Sequence, residues 1–161
     1  MGRPGRGLRP GRILAGLTLL ALVLRLWALG GMPPGLDTDE AAIGYNAFSL
    51  LRSGRDEYGE RWPLLFQSFG EWKRPVYVYA AVPAVAALGL NPLAVRLPAA
   101  VAGALSVPAL YAVARLLLRG PRRALLAAAL LTVSPWHLQF TRAARNVSSQ
   151  PLDQKPSCSW P

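Results

Sequence analysis

Beginning at Ile13, the chain is apolar or glycine as far as Met32, broken only by Thr18 and Arg25. Wound as a helix, the twenty residues 13–32 reach about 30 Å, the thickness of a hydrocarbon core. Three further apolar stretches follow at 76–95, 97–118 and 124–140. Between the first and the second lies a polar segment with one amphipathic element. There Asp37 and Glu40 fit an N-cap and its N3 partner, opening a helix through Leu51 whose Ile43, Ala47, Leu50 and Leu51 share a face. Ser53-Gly54 ends it. The pattern predicts an all-α, multi-span helical membrane protein with a large loop carrying juxtamembrane helices.

Composition agrees: 52% of the 161 residues are hydrophobic and 16% charged, against roughly a quarter charged in an average soluble domain. The net charge of +10 allows either a nucleic-acid binder or a membrane protein with basic cytoplasmic loops. The placement of the charges decides for the membrane. Cations flank the apolar runs at 3–12, 115–123 and 142–145, whereas Asp37, Asp39, Glu40, Asp56, Glu57, Glu60 and Glu71 all fall between 37 and 71. No nucleic-acid partner is expected. The lone Cys158 excludes an internal disulfide framework and a multi-cysteine zinc site.

The same charges orient the spans. Arg3, Arg6, Arg9 and Arg12, set among Gly and Pro, make 1–12 a solvated cytoplasmic N-terminus that holds no helix. Arg115, Arg119, Arg122 and Arg123 mark 119–123 as a cytoplasmic loop. Parity then makes 13–32 the first transmembrane helix, 33–96 an outer acidic loop, 97–118 the second span, 124–140 the third, and 141–161 an outer polar tail. The protein is expected as a multi-pass plasma-membrane protein. The stretch 76–95 becomes interfacial or re-entrant, which suits Tyr77, Tyr79, Pro83 and the Asn91-Pro92 break. A four-span alternative makes 76–95 a span and puts four arginines outside. Arg25 is expected to snorkel to the interface beside Trp27, and Pro108 to kink the second span. A cleaved signal peptide, with its apolar region at 13–24 and cleavage after Ala28-Leu29-Gly30, is the other reading of the N-terminus.

Candidate chemistry concentrates in the acidic loop. Capping is the plainer account of Asp37 and Glu40, and a solvated turn that of Asp56, Glu57 and Glu60. Asp39 has no capping duty in that register, and a carboxylate held near low-dielectric material can serve as a general base. The loop closes on Gly70-Glu71-Trp72-Lys73-Arg74-Pro75. This is either an interfacial anchor or a pair of cations, Lys73 and Arg74, for the phosphate of a lipid-linked substrate. His137 beside Trp136 reads as an interfacial side chain before a catalyst, and Asn146-Val147-Ser148 is a weak glycosylation sequon.

Three segments carry a family resemblance: PPGLDTDEAAIGYNAFSLLRSGRDEYGERWPLLFQSFGEWKRPVYVY, GLNPLAVRLPAAVAGALSVPALYAVARLLL and ALLTVSPWHLQFTRAAR. Over about 13–145 the chain resembles the N-terminal part of bacterial GT-C type glycosyltransferases, of the protein mannosyltransferase and aminoarabinose transferase superfamily. The resemblance implies transfer of a sugar from a polyprenyl-phosphate donor, on the outer face of the membrane, to a lipid, glycan or protein acceptor. It also implies that the Asp-Glu motif of the first outer loop, here Asp39-Glu40, supplies the catalytic carboxylate. The family's basic residue near the donor phosphate falls on Lys73 or Arg74, and its arginine after the third span on Arg142 or Arg145. No protein metal ligand is implied, and a divalent cation at the phosphate is left open.

Elementary chemistry suits that set, because a sugar leaving from a neutralised phosphate needs little general acid, so one base and two or three cations suffice. A glycosidase would instead want two carboxylates flanking the bond. The polar tail 146–161 departs from the family pattern, which continues with another acid and more spans. The expectation is a truncated or frameshifted chain that shows no transfer on its own. A small three-span membrane protein that binds lipid phosphates or a partner, without chemistry, is the alternative.

Overall fold

The computed structural model describes residues 10–31, 34–68, 71–73, 75–118 and 120–142. Among them are six helices and one short hairpin: α1 (Pro10–Leu26), α2 (Thr38–Ser53), β1 (Phe66–Ser68), β2 (Glu71–Lys73), α3 (Pro75–Leu88), α4 (Pro92–Leu117), α5 (Pro121–Val133) and α6 (Pro135–Arg142).

Local sequence explains most boundaries. Asp37 caps α2 and Glu40 completes the capping box, while Gly54 ends the helix in the left-handed region at φ 67°. At the next junction Asn91 does two jobs: its Nδ2 donates to Leu88 O at 2.7 Å, and its Oδ1 accepts from Ala94 N at 2.8 Å. One residue thus closes α3 and caps α4, with Pro92 opening the new helix.

α4 organises the packing. Its N-terminal part joins Ile43, Ala47 and Leu50 of α2, Phe66 of β1 and Val78, Ala81 and Val85 of α3 in one buried cluster. Further along, Ala104, Val107, Tyr111 and Ala114 pack with Ala21 of α1 and Ala124 and Ala128 of α5. The second cluster is built on small side chains, which lets helix backbones approach closely. The outward faces of these helices stay apolar: Leu19, Leu116, Leu126 and Leu130 are each more than half exposed. Between α1 and α4 runs a groove of about 590 Å³ whose lining includes Leu14, Leu19, Leu22, Val101, Leu105 and Pro108.

Several expectations are corrected. The 13–32 stretch is not one continuous helix, because α1 spans Pro10–Leu26 and the chain then turns through Ala28 at φ 52°. Pro10 at the first position, where its missing N–H is no loss, starts the helix inside the basic segment expected to hold none. The second apolar helix begins at Pro92 rather than 97 and passes through Pro98 and Pro108 as one element. It is the one described helix long and apolar enough to cross a membrane by itself. The 124–140 stretch is two helices, α5 and α6, bent by 56° at the Ser134-Pro135 break. The basic loop is shorter than 119–123, since Pro121 opens α5 and puts Arg122 and Arg123 in its first turn; Arg119 lies outside the described residues. Leu51, expected on the buried face of α2, is exposed.

The antiparallel hairpin, with Phe66 opposite Lys73 and Ser68 opposite Glu71, has no counterpart in the all-α expectation. Phe66 is fully buried and meets the Tyr79 ring edge-on at 5.6 Å, while Trp62 stacks on Tyr79 at 6.1 Å. That aromatic contact fixes the hairpin on α3. Asp56 is not part of a solvated turn either. It is buried, and its Oδ1 accepts from Tyr58 N at 3.0 Å and Glu60 N at 2.8 Å, so the carboxylate holds the turn together from inside.

Candidate functional site

The acidic start of α2 is anchored by a side chain from α4. Arg96 Nε donates to Glu40 Oε1 at 2.9 Å and Arg96 Nη2 to Glu40 Oε2 at 2.8 Å, with both side chains buried. Burial of two charges is costly unless the pairing is bidentate and the remaining donors are satisfied. They are: Nη1 reaches Leu29 O at 3.1 Å and Nη2 also reaches Gly35 O at 2.6 Å. Glu40 Oε2 accepts in addition from Asp37 N at 3.2 Å, as the capping box requires. One guanidinium therefore gathers the turn after α1, the loop before α2 and the first turn of α2.

Asp39 stands in that first turn, beside Glu40, and is partly exposed. A carboxylate there is favoured by the positive end of the helix. Close packing holds the helix on α4, since a Cβ built on Gly44 would lie 2.8 Å from Val95 Cγ2. Nearby, Tyr77 donates its hydroxyl to Val95 O at 2.9 Å. Burial, foremost, pushes that phenol far above its ordinary value, so it remains a protonated donor.

A second polar cluster lies where α1, α4 and α6 meet. Arg25, expected to snorkel, is instead fully buried. Its Nη1 donates to Ala21 O at 2.9 Å, its Nε to Thr141 Oγ1 at 3.1 Å, and its Nη2 lies 2.6 Å from His137 Nδ1. His137 Nε2 lies 3.3 Å from Ser106 Oγ, so the imidazole bridges α1 and α4 rather than sitting free at an interface. Gly103 makes room, because a Cβ there would lie 2.5 Å from Thr141 Cβ and 2.9 Å from Arg25 Nε.

The two clusters share the turn after α1. Arg142, at the end of α6, donates from Nη2 to Trp27 O at 2.5 Å, and its buried Nε has no hydrogen-bond partner among the described residues. Trp27 is two residues from Leu29, whose carbonyl holds Arg96 and thereby Glu40. Glu40, through Arg96, and Arg142 are thus tied to one short stretch of chain, and Asp39 neighbours Glu40 in the first turn of α2. Lys73 ends β2, two positions before α3 opens at Pro75. Arg74 and Arg145 lie outside the described residues. Among the described residues no group of three His, Cys, Asp or Glu side chains is placed to hold a metal ion.

The reading of sequence alone missed Arg96 and the Arg25–His137–Thr141–Ser106 cluster. Both arginines carried a signal: each is an isolated charge within a long apolar run, where an ionised side chain is costly and must find partners inside the protein.

Residues 73–149, just under half of the chain, match the family model described as dolichyl-phosphate-mannose-protein mannosyltransferase. Over that stretch the match points to a glycosyltransferase of the mannosyltransferase type. No curated protein and no solved structure matches the chain.

Proposed function

We propose that this chain forms the donor side of a membrane glycosyltransferase that takes its sugar from a polyprenyl phosphate on the outer face of the plasma membrane. The observation that carries the reading is the Glu40–Arg96 pair. Arg96 lies inside the stretch matching the mannosyltransferase family and grips the acidic motif that lies outside it. This buried, bidentate contact between the matched and unmatched parts supports reading Asp39, the neighbour of Glu40, as part of the same site.

In this reading Asp39 of the Asp39-Glu40 motif is the base that takes the acceptor's proton as the sugar–phosphate bond breaks. Glu40, with both oxygens engaged, fixes the helix that carries it. Lys73 or Arg74, together with Arg142 or Arg145, neutralises the departing phosphate; Arg142 has donor capacity left after its contact with Trp27. The apolar groove between α1 and α4 and the exposed leucines of α1, α4 and α5 suit a bilayer and a prenyl tail. Three crossings, through α1, through α4 and through the bent α5–α6 pair, then pass the membrane, with the N-terminus in the cytoplasm and the segment between α1 and α4 outside. Membrane lipid and an acceptor are the other partners.

Donor recognition is the property these residues carry most directly. In bilayer nanodiscs the protein should bind polyprenyl-phosphate mannose saturably, with Arg142→Met weakening binding and Asp39→Asn leaving it intact. In any preparation that turns over, Asp39→Asn should lower transfer by about two to four orders of magnitude. Binding that phosphatidylglycerol displaces as well as polyprenyl phosphate would favour the non-enzymatic lipid-phosphate binder instead.

A further inference from the structure

α6 presents a problem of attachment. None of its residues is fully buried, its first turn begins at a proline, and it leaves α5 at 56°. It therefore lacks a fully buried apolar face, the usual source of a short helix's stability. Polar contacts take its place, and they converge on Arg25. His137 and Thr141 are four residues apart and so share a helix face, and both meet the Arg25 guanidinium. Among the described residues Arg25 has no acidic partner, although it is fully buried. Its contacts to the imidazole, the hydroxyl and the Ala21 carbonyl are what stabilise it there.

The protonation state of His137 follows from donor logic. A guanidinium has only donors, so Nδ1 must accept, and Nε2–H is then left to donate to Ser106 Oγ. Ser106 in turn donates to Gly103 O at 2.7 Å, completing a chain from α1 through α6 to α4. A doubly protonated ring would set N–H against N–H and one cation against another. The charged group that meets the ring is Arg25 on α1; α4 offers it the Ser106 hydroxyl, Arg142 of α6 itself is engaged with Trp27 O, and the charges of α5, Arg122 and Arg123, are in its first turn, away from the bend.

We propose that Arg25 is a positioning residue: through neutral His137 and Thr141 it clamps α6 to α1 and α4, and so holds Arg142 at the end of α1. The proposal rests on the glycosyltransferase reading only for what Arg142 is positioned to do.

The test reads helix position and not transfer, so it stands apart from that reading. In a Cys158→Ser background, spin labels at Leu19 of α1 and Phe140 of α6, both exposed, report the clamp by electron–electron distance measurement. A second pair at Leu19 and Leu116 reports the α1–α4 core. The clamp predicts a single narrow α1–α6 distance at about pH 8 that Arg25→Met loses while the α1–α4 distance stays. It also predicts loss of the narrow distance on acidification to about pH 4, where the ring is driven to take a second proton against the Arg25 guanidinium. His137→Gln, which keeps an acceptor but cannot ionise, should hold the narrow distance at both pH values. An unchanged α1–α6 distance in Arg25→Met, or an acid response that persists in His137→Gln, overturns the proposal. Should Arg25→Met also lose the α1–α4 distance, the acid response of the native chain against His137→Gln decides, since Arg25 is intact in both. Donor binding to Arg142→Met tests the other reading separately.

Discussion

Glu40 and Arg96, 56 positions apart in sequence, form a buried two-point ion pair, and Arg96 also donates to the carbonyls of Leu29 and Gly35. The pair is therefore expected to set the position of Asp39.

Arg96→Met leaves a buried carboxylate without its cation and should cost about 3–5 kcal/mol of stability in detergent unfolding. The double variant Glu40→Gln/Arg96→Met should recover a large part of that loss. Equal destabilisation in the single and double variants would show that Arg96 acts through packing and not through the pair.

Gly103→Ala should destabilise by about 1–3 kcal/mol, because the new methyl meets Thr141 and Arg25 well inside contact distance. Gly16→Ala in α1, where nothing lies within 4 Å, should be neutral or stabilise by up to about 1 kcal/mol. Thermal unfolding of the two variants side by side checks the contrast.

Asp56→Ala removes an acceptor that serves two backbone N–H groups and should cost about 1–3 kcal/mol. Asp56→Asn keeps the accepting oxygen and should cost less. Neither should weaken donor binding, and a donor-binding defect in Asp56→Asn would place this turn in the site.

Orientation has its own test. In the Cys158→Ser background, a cysteine at Ser53 should react with an impermeant thiol reagent added outside, and one at Gly120 should not. Labelling at both positions, or at Gly120 alone, contradicts the three-span arrangement.

What could be read from the sequence followed local rules. The Asp37–Glu40 capping box, the Gly54 stop, and the Asn91-Pro92 break depend on a few neighbouring residues, and each appears where those residues place it. Long-range partners were not legible in the same way. Arg25 near a helix end reads as a snorkelling side chain because its partners, His137 and Thr141, come from a helix more than a hundred residues later. The hairpin was hidden because its strands are three residues each, too short for alternation to show. The Ser134-Pro135 bend was within reach, since a proline following a helical run disfavours continuation at the preceding residue. The apolar pattern on either side outweighed it. Of the candidate site, the carboxylates and Arg142 were named from sequence, whereas the arginine that seats them, Arg96, was not.

The most direct test of the central claim is to photolabel the protein in bilayer nanodiscs with a polyprenyl-phosphate sugar carrying a photoreactive group beside the phosphate, then map the labelled peptides. The account predicts saturable labelling of 27–40 and 135–142, competed by polyprenyl phosphate and not by phosphatidylglycerol, and reduced in Arg142→Met. Labelling confined to the basic 115–123 region, or labelling that phosphatidylglycerol competes equally well, would contradict it.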